Sequence, residues 1–115
     1  LPYNLNAVSQ TAAEVAVEMY EEEVRPLVER IVAERERLYE ELRTIEGLAP
    51  VPSRANFMVV RSVIEPRRVF TELLRRGILI RDVSGYPMLK DYFRVSIGTP
   101  AENDALVAAL REIFA

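Results

Sequence analysis

Residues 77–99, GILIRDVSGYPMLKDYFRVSIGT, decide how the rest of the chain is arranged. Two short apolar runs, 78–81 and 92–97, flank a connection in which Gly85 and Pro87 act as breakers. Each run reads as a strand, and each carries one arginine where an apolar residue would otherwise stand. Side chains alternate between the two faces of a strand. Phe93, Val95 and Ile97 therefore share one face, leaving Arg94 and Ser96 on the other. Ile78 and Ile80 likewise share a face opposite Leu79 and Arg81. If the apolar faces meet helices, both arginines project from the open side of the sheet. If the two strands also pair through the 82–91 connection, the guanidinium groups converge, and two convergent forks of donors suit a phosphate or a carboxylate. The alternative is an ion pair for each arginine with a nearby acid such as Asp82 or Asp91.

The segments around this stretch supply a frame. Downstream, Thr99-Pro100-Ala101-Glu102 is a capping box with proline at the first helical position. Leu106, Val107, Leu110, Ile113 and Phe114 line one face of the helix it starts. Upstream, Pro66 suits the first turn of a helix reaching about Arg76 and ended by Gly77, with Val69, Phe70, Leu73 and Leu74 inward. Residues 55–61 read as a strand. Residues 49–53, with two prolines, form an edge strand at most. Val24, Leu27, Val28, Ile31, Leu38, Leu42 and Ile45 make the stripe of a long amphipathic helix that Gly47 ends. Proline is tolerated in a first helical turn, so Pro26 places the start of that helix between Glu21 and Arg25. The segment around Ala12, Ala13, Val15, Ala16 and Val17 is nearly apolar all round and is expected to be a buried helix capped by Asn6 or Ser9.

The order α-α-β-α-β-β-α predicts an α+β fold: a small, mainly antiparallel sheet with helices packed on one face, preceded by a long linking helix. Two parts are expected, residues 1–47 as lead-in and linking helices and residues 48–115 as the α/β domain. The chain has 115 residues, half of them hydrophobic, enough for one core. Its net charge of -3 recruits no nucleic acid. It has no cysteine or histidine, so the commonest metal ligands and the commonest general base are missing, and no metal site is expected. No apolar run approaches the roughly 20 residues of a membrane span, and a cytoplasmic setting is expected. The basic residues are 14 arginines and a single lysine, Lys90. The start at Leu1, in LPYNLN, reads as the interior of a longer chain.

Weaker site candidates are Asn56, at the start of a strand, and Tyr3 and Asn4, if the lead-in crosses a site. The block Ser53-Arg54-Ala55-Asn56-Phe57, the Gly-Ile-x-x-Arg block at 77–81 and the Arg-Val-x-x-Gly-Thr block at 94–99 occur in one order. With LPYNLN before them and a long charged helix between, they make the whole chain resemble the C-terminal part of the histidinol-phosphate aminotransferase family. That family consists of fold-type I enzymes that use pyridoxal phosphate. The resemblance implies that Arg94 holds an acidic group of the substrate and that Arg81 helps bind the substrate phosphate. It implies a phosphorylated amino substrate, glutamate or 2-oxoglutarate as the second substrate, and a homodimeric parent enzyme. Lys90 does not sit in the family's lysine motif. No catalytic residue is therefore expected within these residues, and the fragment alone is expected to be inactive. The rival readings are another class I/II aminotransferase small domain, or a non-enzymatic module that binds an anionic ligand or drives oligomerisation.

Overall fold

A computed structural model describes residues 6–115, and Tyr3 and Asn4 fall outside the described residues. The chain divides into two units, one ending at Arg30 and one formed by Ile31–Ala115.

In the first unit, helix α1 (Ala7–Glu18) begins where the Asn6 side chain accepts the Ser9 N–H at 2.8 Å. A π-helical turn (Tyr20–Val24) follows and leads into α2 (Arg25–Arg43), whose first residues belong to this unit. The break expected before Pro26 is thus a wide helical turn. Proline lacks an N–H and its ring clashes with the carbonyl four residues back. Here the Arg25 N–H instead reaches the Tyr20 carbonyl, five residues back, which loosens the turn ahead of the proline. Arg25 also bonds Glu21 at 2.6 Å and stacks over the Tyr20 ring at 5.3 Å. The expected burial of α1 is corrected: none of its residues is buried. An apolar helix is covered only when a second layer exists, and the described residues of this unit hold no sheet or second long helix to provide one.

In the second unit, Leu38 and Leu42 of α2, with Ile45 just beyond it, enter the core. The helix stops at Arg43, short of Gly47, because the Thr44 and Ile45 N–H groups tighten onto the Glu41 and Leu42 carbonyls at 3.2 Å. Gly47 instead takes φ +97° in the turn that follows. A Cβ at that position would lie 2.9 Å from Val63 Cγ2 and 3.0 Å from Phe114 Cδ2, so glycine is required twice over.

Strands β1 (Leu48–Pro50), β2 (Phe57–Ser62), β3 (Arg81–Asp82) and β4 (Tyr92–Ser96) form one sheet in the order β1-β2-β4-β3, antiparallel throughout. Helices α3 (Pro66–Arg75) and α4 (Pro100–Ile113) complete the unit. Met58, Val60, Phe93 and Val95 face inward, where Leu38, Leu42, Val69, Leu73, Leu106 and Leu110 meet them. The expected α+β architecture, an antiparallel sheet with helices on one face, is the observed one.

One strand is shorter than expected. Residues 78–80 do not pair, and β3 starts only at Arg81. The Ile78 N–H turns back to the Leu73 carbonyl at 2.9 Å, and Gly77 has φ +77°, so the chain leaves α3 before it reaches the edge of β4. The alternation survives all the same: Ile80 is buried while Leu79 is 75% exposed.

The end of β4 is held by a buried amide. Asn103 of α4 donates to Glu34 of α2 at 2.9 Å and to the Gly98 carbonyl at 3.1 Å, and its side-chain oxygen accepts the Gly98 N–H at 3.0 Å. A buried amide left unpaired would be costly, and here donors and acceptor are all engaged.

Candidate functional site

The outer face of the sheet carries Phe57, Val59 and Arg61 from β2, Tyr92, Arg94 and Ser96 from β4, and Arg81 from β3. Arg81 and Arg94 are directly opposite each other in the β3–β4 register. Residues opposed in an antiparallel pair have Cβ atoms about 4.5–5.5 Å apart, and like charges placed so destabilise the pair. Among the described residues neither arginine forms an ion pair, whereas Arg25, Arg35, Arg37, Arg43, Arg75, Arg76 and Arg111 all do. Asp82 forms no ion pair with either arginine among the described residues; its Oδ1 accepts the Ser84 N–H at 2.9 Å together with the Ser84 hydroxyl. The Ser84 hydroxyl is the main reason that Asp82 ionises below the ordinary aspartate range. Asp91 is exposed in the loop and forms no ion pair among the described residues.

A cavity of about 200 Å³ lies at this pair, lined by Leu79, Ile80, Arg81, Arg94 and Ser96. The guanidinium of Arg94 also lies over the Phe57 ring, 4.7 Å from its centroid. Ser96 and Phe57 join the site through the β2–β4 register, which pairs them across the ladder. Sequence reading passed over both as site residues, although Phe57 ends one of the recognisable blocks.

Asn56 is exposed, and its carbonyl accepts the Ile97 N–H at 2.8 Å where β2 begins. The structure thus brings Arg81 and Arg94 together and leaves the Asn56 side chain outside their cavity lining. The N-terminus of α4 is occupied by its own cap. Thr99 accepts the Glu102 N–H at 3.2 Å, and the Glu102 carboxylate takes the Thr99 hydroxyl and N–H at 2.9 and 3.2 Å. The Thr99 hydroxyl is the principal cause of the lowered Glu102 pKa.

A cofactor bound as an imine needs a lysine amine in an enclosed position. Lys90 is exposed in the loop between β3 and β4 and is no part of the arginine cavity. The residues present do not fit the reactive end of such a group.

The arginine pair thus lies on the bare face of a small antiparallel sheet backed by helices. This chain belongs to the class I and II aminotransferase family, whose pattern matches residues 1–110. It is 39% identical over 112 residues to the histidinol-phosphate aminotransferase of Aquifex aeolicus, covering 97% of this chain and 32% of that protein. It is 44% identical over 113 residues to histidinol-phosphate aminotransferase 1 of Carboxydothermus hydrogenoformans, covering 98% of this chain and 31% of that one. The chain thus spans about a third of the length of the curated relatives it matches. Its fold superposes with a TM-score of 0.73 and 31% identity on the Sinorhizobium meliloti histidinol-phosphate aminotransferase solved in complex with pyridoxal-5'-phosphate, over 82% of this chain and 26% of that one.

Proposed function

We propose that this chain is the substrate-anion-binding part of a pyridoxal-phosphate-dependent histidinol-phosphate aminotransferase. The carrying observation is the opposed pair Arg81 and Arg94, two like charges with no acid partner among the described residues. An anion between them would relieve that repulsion. A phosphate presents several oxygens to two guanidinium forks, and each charge-assisted contact is worth about 1.5–3 kcal/mol. In this reading Arg81 and Arg94 bind and orient the anionic end of the substrate, and the backbone between β4 and α4 holds Arg94 in place.

The amino group would pass between glutamate and imidazole-acetol phosphate, with 2-oxoglutarate and histidinol phosphate as products. The cofactor supplies the electron sink for that exchange, and its lysine and phosphate-binding residues would belong to sequence other than these 115 residues. A cytoplasmic homodimer is part of the same proposal. Residues 1–47 would link the two parts of each subunit, and Tyr3, Asn4 and Asn56 would line the edge of the site. The names of the curated relatives support this substrate class.

The test is transamination by the full-length protein containing this chain. Histidinol phosphate with 2-oxoglutarate should turn over with kcat/KM at least about tenfold above that of histidinol, since the missing phosphate forfeits a contact worth more than 1.4 kcal/mol. Equal rates for the two amines would overturn the reading.

A further inference from the structure

We infer that Phe57 is a positioning residue for Arg94, and that the Ser53–Phe57 block exists to place its ring. This inference rests on the anion-gripping role proposed for Arg94.

Arg94 is half-buried, yet its side chain makes no hydrogen bond or ion pair among the described residues. Among the described residues its guanidinium instead meets the face of Phe57, 4.7 Å from the guanidinium carbon to the ring centroid. That separation is within the range of a favourable cation–π contact. A carboxylate in the same place would consume N–H donors and cancel the charge. A phenyl ring has no lone pair, so it steadies the guanidinium while leaving its donors and its charge for a ligand. Holding a long side chain before binding also removes part of the ordering cost of association.

The ring itself is well placed by local chemistry. Ser53 Oγ accepts the Ala55 N–H at 3.0 Å and donates to the Phe57 carbonyl, closing the turn that precedes β2. The Asn56 carbonyl fastens the same turn to Ile97. The register then sets Phe57 opposite Ser96, two residues along β4 from Arg94 and on the same face. Diagonal neighbours at that spacing are within reach of an aromatic and a long side chain. Phe57 is 37% exposed on the open face and is not part of the buried cluster of these residues.

The test is a double-mutant cycle on the full-length enzyme, with histidinol phosphate as the varied substrate. Phe57→Leu keeps the apolar bulk and removes the ring. It should raise KM about 2- to 30-fold, the span that cation–π contacts cover, with kcat and melting temperature nearly unchanged. Phe57→Tyr, which keeps the ring, should restore KM, and Phe57→Met replaces the leucine variant should that one fold poorly. In the Arg94→Ala background Phe57→Leu should add nothing. If Arg94→Ala raises KM but Phe57→Leu does not, or if the two effects simply multiply, the positioning role falls and the arginine reading stands. If Arg94→Ala leaves KM unchanged, both fall together.

Discussion

Arg81 and Arg94 share one row of one sheet face, but the chain holds them differently. Arg94 sits mid-strand between β2 and β3, half-buried, with an aromatic ring against its guanidinium. Arg81 opens a two-residue edge strand, is exposed, and has no aromatic ring against its guanidinium among the described residues. The difference follows from the unpaired run at 78–80, which brings the chain to the sheet only at Arg81. In the anion-binding role proposed above, Arg94 would be held in advance and Arg81 would be ordered by what it binds.

The largest expected effect separates the two arginines. In the full-length enzyme, Arg94→Ala should raise KM for the phosphorylated substrate by about 10- to 150-fold, from the 1.5–3 kcal/mol of a charge-assisted contact. Arg81→Ala should act in the same direction near the lower end, about tenfold, because ordering its free side chain offsets part of the gain. Steady-state kinetics of the pair decide the point. A larger loss at Arg81 would invert the comparison, and unchanged kinetics in both would return them to a structural role.

A second expectation concerns what keeps β4 rigid. Asn103→Ala strips Gly98 of both side-chain partners and Glu34 of one. Urea unfolding should register a loss of about 1–3 kcal/mol. A loss below about 0.5 kcal/mol, the ordinary range for surface changes, would mean that the amide does not fasten the strand.

The smallest effect is a pH dependence of that same network. Glu34 ionises below its usual value of 4.5, chiefly through its hydrogen bond from Arg37 and then through Asn103. A carboxylate with a depressed folded-state pKa stabilises fully above the unfolded value and loses that contribution as pH falls through the folded one. The melting temperature should therefore fall more steeply below about pH 4.5 for the native chain than for Glu34→Gln. Parallel curves would remove Glu34 from the account.

Much of the fold that rests on local periodicity was legible in the sequence, although Leu74, expected inward, is 51% exposed. Alternation in 92–97 predicts which face Arg94 occupies, and Thr99-Pro100-Ala101-Glu102 marks the α4 start to the residue. What was not legible depends on partners distant in sequence. The length of β3 depends on when the chain leaves α3, and the π-helical turn depends on how the helix accommodates Pro26. Phe57 meets Arg94 only because β2 pairs with β4 in one register, and no spacing within either strand encodes that. Composition marks α1 as apolar, but its burial depends on a covering surface, which is not a property of the segment.

Lys90 has a practical consequence. It is the sole lysine of the chain and lies exposed on the loop joining the two strands that bear Arg81 and Arg94. Apart from the α-amino group, an amine-directed fluorophore attached to these 115 residues has one place to go, and it neutralises neither guanidinium. The loop thus offers a single-point reporter on the connection between β3 and β4.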